Sequence, residues 1–168
     1  MRSATAQENK GFTLIELLLA LTIVTILAVS VFVALNPAQR LKDSKDARRA
    51  ADVDTILTAV HQSIVDNKGT YPTNMPAAAV EKQLGTGAAV VCVASVGTYC
   101  TTLTTACSDL MTGGQSLATY LKTMPIDPVG GTTADATKTG YSIQRDANGI
   151  VTVKACYTDA TAVIQASR

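Results

Sequence analysis

The sequence predicts an α+β chain in which a long N-terminal helical spine, membrane-spanning in its first half, packs through its second half on a small antiparallel β-sheet head. Three observations predict it. Residues 12–35 form an apolar run of 24 residues whose one charge is Glu16. Val53, Ile56, Leu57, Val60 and Ile64 then recur at spacings of three and four, the period of a helix with one buried face. Near the other end, Tyr141–Arg145 and Ile150–Lys154 flank Asp146–Gly149, a four-residue turn with glycine placed for positive φ.

Taken in order, residues 1–11 are a short polar leader ending in Lys10-Gly11. The apolar run that follows would span roughly 36 Å as a helix, enough to cross a hydrocarbon core of about 30 Å with some tilt. A carboxylate inside such a span costs roughly 2.5–3.5 kcal/mol on insertion scales, so Glu16 requires a role or a partner. Asn36-Pro37 predicts a kink or short break, because proline lacks an amide donor and biases its predecessor away from helix. The amphipathic continuation runs over 36–68 and stops at Asn67-Lys68-Gly69, with Gly69 as C-cap. The head is then 69–168. Within it Gly69-Thr70-Tyr71-Pro72 opens a loop, Ala88–Val96 is an apolar run of unassigned structure, and Ser116–Lys122 predicts a short helix. The two prolines of Met124-Pro125-Ile126-Asp127-Pro128 exclude a regular element there, and Gly130–Gly140 predicts a mobile surface loop.

Composition narrows the function. The chain has 168 residues, no tryptophan, and two phenylalanines that both fall in the apolar run, so the head has few large side chains for a core. Cys92, Cys100, Cys107 and Cys156 are then candidates for covalent support, with three complete pairings open. In each of the three, Cys156 joins one of the other cysteines and staples the C-terminal segment to 92–107. Their spacings lack the close pair that tetrahedral zinc ligation uses, and no metal is expected. His61 is the only histidine and sits between apolar neighbours on its helix, so no catalytic arrangement is expected around it. No phosphate-binding loop or paired-carboxylate signature is present, and no cofactor or enzymatic activity is expected.

The junction Lys10-Gly11-Phe12-Thr13-Leu14-Ile15-Glu16-Leu17 resembles the class III signal of type IV pilins and type II secretion pseudopilins. The resemblance implies cleavage between Gly11 and Phe12 by a membrane aspartic peptidase. It further implies N-methylation of Phe12, and a helical filament of identical subunits in which Glu16 pairs with the Phe12 ammonium of a neighbour. The implied partners are other copies of the chain, the prepilin peptidase and N-methyltransferase, an assembly platform and the membrane. The subunit would be single-pass with its head outside, and extracellular once assembled. A looser likeness lies in Thr70-Tyr71-Pro72 and Pro125-Ile126-Asp127-Pro128, which are similar to the pilin and pseudopilin head. Val129 stands near where that family often has tryptophan, and only Asp146 and Asp159 stand where calcium-binding members carry an acidic loop.

Removal of residues 1–11 would leave 12 basic and 12 acidic residues, so no strong attraction to nucleic acid is implied. Arg40, Lys42, Lys45, Arg48 and Arg49 alternate with Asp43 and Asp46, as on a solvated helix or a face that pairs with the next subunit. Nucleic-acid contact, as in minor pilins of DNA uptake, is the weaker alternative. These five bases outnumber Arg2 and Lys10 on the other flank, opposing the orientation that the leader implies. The favoured reading is a structural subunit of a type IV pilus or pilus-like filament. The alternatives are a pseudopilin of a type II secretion or competence system, and a membrane-anchored binding head that does not polymerise.

Overall fold

The computed structural model describes residues 11–86, 99–100, 107–129, 134–159 and 162–168. Its elements in chain order are helix α1 (Leu14–Leu35), helix α2 (Pro37–Asp66), strand β1 (Glu81–Gln83), a 3₁₀ turn (Leu117–Thr119), and strands β2 (Tyr141–Arg145), β3 (Val151–Ala155) and β4 (Gln165–Ser167). The architecture is α+β. The chain divides into two compact units, one ending at Arg40 and the other beginning at Leu41.

In the first unit α1 buries none of its side chains. Thr22, Thr25 and Ser30, the hydroxyl residues within the helix, turn back on the carbonyls of Leu19, Thr22 and Leu27 at 2.7, 2.9 and 2.8 Å. Their polarity is thereby satisfied within the helix, and a continuous apolar surface faces outward. Asn36 ends α1 in the left-handed region at φ 39°, a conformation that asparagine tolerates better than most residues. Pro37 begins α2, a position where its missing N–H costs nothing.

The second unit is built on α2. Its inward stripe is Arg49, Val53, Ile56, Leu57, Ala59, Val60 and Ser63. The helix ends where Gly69, at φ +88°, returns its N–H to the carbonyl of Ile64 at 2.8 Å, with Lys68 also at positive φ. Against this stripe lies a four-stranded antiparallel sheet in the order β1-β2-β3-β4. β3 alternates strictly, with Val151, Val153 and Ala155 buried and Thr152 and Lys154 half-buried. Tyr141 and Ile143 of β2, opposite Ala155 and Val153, complete the inner face. The β2–β3 connection is held by Asp146, whose carboxylate accepts from the amides of Asn148 and Ile150 at 2.8 and 2.7 Å.

The first half of β2, Tyr141 to Ile143, is buried on both faces, and on its outer side Cys100 Sγ lies 3.4 Å from Ser142 Oγ. Cys100 is joined to Cys156, which follows β3, and this bond holds two segments 56 residues apart. On the same outer face Glu81 accepts from Ser142 and pairs with Lys154 at 2.8 Å across three strands.

Several segments differ from the sequence expectation. The helix expected over Ser116–Lys122 is a single 3₁₀ turn, Leu117–Thr119, with Leu117 and then Leu121 buried in the core. Of the expected mobile loop, Gly130 to Thr133 lie outside the described residues, but Thr139 and Gly140 are buried. Thr139 bonds both the carbonyl of Leu84 and the amide of Asp127, which locks this stretch to β1 and to the proline loop. The apolar run Ala88–Val96 and Cys92 lie outside the described residues.

Candidate functional site

The N-terminal constellation is Gly11, Phe12, Thr13 and Glu16. Thr13 is the N-cap of α1, in extended conformation, and its hydroxyl oxygen accepts from the amide of Glu16 at 3.3 Å. Glu16 reaches back in turn, with Oε2 accepting from Thr13 N at 2.9 Å and Thr13 Oγ1 at 2.8 Å. This is a capping box, which satisfies two of the helix's otherwise orphaned donors and places a carboxylate at the positive end of the helix dipole. Phe12 stands immediately before it, 89% exposed. The arrangement therefore fixes one carboxylate at the head of an apolar helix, where it caps the helix start and its charge has no oppositely charged side chain on the helix. Thr13 was not singled out in the sequence, although Thr13-Leu14-Ile15-Glu16 carries the S/T-x-x-E pattern of a capping box.

A family model described as the prokaryotic N-terminal methylation motif matches residues 7–32. The chain carries the class III prepilin signal of type IV pilins and pseudopilins. The prepilin signal takes in Gly11, Phe12 and Glu16 and most of α1, and ends before α2 begins. No curated protein and no solved structure matches the chain.

Beyond the prepilin signal, the densest polar constellation is inside the head. Arg49 is fully buried, contrary to its expected place on a solvated or subunit-pairing face. Its guanidinium forks onto the buried Asp127 through Nε and Nη2 at 2.9 and 3.1 Å. Nη1 donates to Asp46 at 2.6 Å and to Asp159 at 2.7 Å. One side chain thus ties α2 to the proline loop and to the segment after Cys156. Burial opposes the charge on Arg49, but hydrogen bonds to Asp127, Asp159 and Asp46 outweigh it and hold the guanidinium above its ordinary pKa. Extending the stripe of Val53 and Ile56 back by one turn lands on Arg49, so its position was legible even though its charge masked it. Gly140 is required beside this hub, since a Cβ there would lie 2.7 Å from that of Asp127 and φ is +83°.

Tyr141 donates its hydroxyl to Asp52 at 2.8 Å, and burial followed by this bond raises its pKa well above the ordinary tyrosine value. His61 lies on the partly exposed face of α2 with Nε2 3.0 Å from the carbonyl of Arg168, where it ties down the last strand. Asp146 holds the hairpin turn and Asp159 serves Arg49, so the two acids noted near the C-terminus are not brought together as ligands. Among the described residues no group of three or more His, Cys, Asp and Glu side chains is arranged to hold a metal ion. The carboxylates of Asp46, Asp127 and Asp159 converge, and their cation is the guanidinium itself. Cys107 is disulfide-bonded as well as Cys100 and Cys156.

Proposed function

We propose that this chain is the structural subunit of a type IV pilus or pilus-like filament. It enters the membrane as a prepilin, is cleaved after Gly11, is N-methylated at Phe12, and polymerises through α1. The observation that carries this reading is the prepilin signal at 7–32 running directly into a 22-residue helix with no buried side chain. Such a surface cannot rest in water. Packing it first against lipid and then against identical helices removes apolar area at about 25 cal/mol per Å² from any aqueous route. In the filament the Glu16 carboxylate of one copy meets the Phe12 ammonium of the next, so that two charges costly in hydrocarbon neutralise each other. One patch meeting a different patch on the next copy, without rotational closure, yields an open helical polymer. The peptidase, the methyltransferase and an assembly platform are the partners this route requires. On the same reading residues 12–35 form the filament core, 36–68 the amphipathic continuation and 69–168 the head, which is outside the membrane before assembly.

Mass spectrometry of the protein isolated from membranes or filaments tests the processing. The expected N-terminal peptide begins at Phe12 and is one methyl group heavier than the sequence gives. A terminus at Met1 would favour a membrane-anchored head that does not polymerise.

A further inference from the structure

Within the second unit, α2 carries its outward charges unevenly. Lys42, Lys45 and Arg48 recur every three residues and so lie along one stripe, with Lys42 and Arg48 exposed and Lys45 half-buried. Asp46 is withdrawn from them, accepting from Arg49 and from the amide of Asp159 at 3.0 Å. Arg48 reaches Asp52 only at 3.8 Å, and Asp52 already accepts from the hydroxyl of Tyr141. Lys42 and Lys45 form no ion pair among the described residues.

Further along the same helix its outer side opens into a hollow of about 300 Å³, lined among others by Asp54, Thr58, Gln62 and Tyr120 and by no basic side chain. Asp54 and Gln62 are exposed, and neither side chain has a hydrogen bond or ion pair among the described residues. Asp66 stands beside the hollow, where its carboxylate accepts the Tyr120 hydroxyl at 2.6 Å. It is the last residue of α2, a place where the helix dipole disfavours an acid, and no base shares its turn. The helix is thus basic towards its start and acidic towards its end. These complementary surfaces are centred about 20 Å apart on one continuous helix, so they cannot meet within a chain. They can meet only between copies.

We propose that the stripe of Lys42, Lys45 and Arg48 on one copy docks on the hollow formed by Asp54, Gln62 and Tyr120 on the next. This contact rests on the filament reading and adds to it a surface in the second unit, with parallel α2 helices staggered by about 20 Å. The two patches differ, so the contact is heterologous and leaves one patch of each kind open for a further copy. Its role is register. Apolar attraction along α1 is non-directional and favours many staggers alike, whereas charge pairs at fixed places favour one and set like charges together in others.

The test expresses the full chain in cells and reads filament yield against the amount of membrane-inserted subunit. K42E/K45E and D54K each set like charges against one another across the contact, and each should lower the yield about tenfold. Joined in K42E/K45E/D54K, they should return it to within about threefold of wild type. Cross-linking supplies a second measurement. Ser44 and Thr58 of one chain are about 21 Å apart along α2, beyond a short bismaleimide. The described native cysteines are all disulfide-bonded, so S44C/T58C offers its two new thiols to the reagent and should give a ladder of covalent oligomers. Unchanged yield in both charge variants, or absence of the ladder, would overturn the proposal. A triple variant no better than its parents would count against it too, because the charges would then act elsewhere. A ladder in membranes with no filaments from wild type would leave the contact standing and remove the proposed function instead.

Discussion

Replacing Arg49 with alanine is expected to be among the most damaging substitutions in the head, and the structure sets the scale. Both Arg49 and the Asp127 side chain are fully buried, while Asp46 and Asp159 keep 15% and 25% side-chain exposure. Without Arg49, the buried Asp127 carboxylate retains the amide of Val129 at 2.8 Å but loses its countercharge. Stripping one partner from a buried pair costs about 3–5 kcal/mol. For a head of this size that lowers Tm by roughly 10–25 °C. Asp159→Asn removes a partly solvated partner and should cost about 1 kcal/mol. The double variant R49M/D127L, which removes both charges and fills the space, should recover most of the loss. Thermal and urea unfolding of residues 38–168 with disulfides intact, followed by circular dichroism, reads all three. If R49A costs no more than D159N, the hub contributes no more than a surface ion pair and the reasoning fails.

Tyr141 gives a pH prediction. Its folded pKa lies above the unfolded value of 10.0, so the folded state binds that proton more tightly. Its contribution is complete below pH 10 and is lost as pH rises beyond it. Tyr141→Phe should therefore flatten the loss of stability above pH 10, and an unchanged profile would contradict the Asp52 pairing. Glu16→Ala should leave a membrane-inserted subunit with a normally folded head but sharply fewer filaments in electron micrographs; normal yield would remove Glu16 from assembly. Cys100→Ser with Cys156→Ser opens a cross-link between residues 56 apart and should cost at most about 4 kcal/mol in denaturant titrations. A non-reducing digest of wild type should yield these two cysteines on linked peptides.

The features legible in the sequence were those whose signal is local. α1 announces itself by composition, the stripe of α2 by its period, and the hairpin by a turn that needs Gly149, at φ +91°. β1 and β4 were not legible, because each is three residues long and owes its conformation to pairing with β2 or β3. The site divides in the same way. Glu16 stood out because a charge in an apolar run is costly, whereas Arg49 was hidden because bases beside acids on a helix are ordinarily solvated. What distinguishes Arg49 is Asp127, 78 residues away in a proline loop, and no local pattern joins the two. The pairing of Cys156 with Cys100 was likewise one of several open connectivities until the crossing over β2 defined it.

Helical reconstruction of surface filaments, with subunit identity read from the map and from peptide sequencing, tests the central claim most directly. The account predicts this chain at repeating positions, beginning at Phe12, with residues 12–35 of neighbouring copies packed along the axis and Glu16 beside the terminal amine of an adjacent subunit. Filaments built of another chain, or contacts made through the heads with the apolar helices apart, would contradict it.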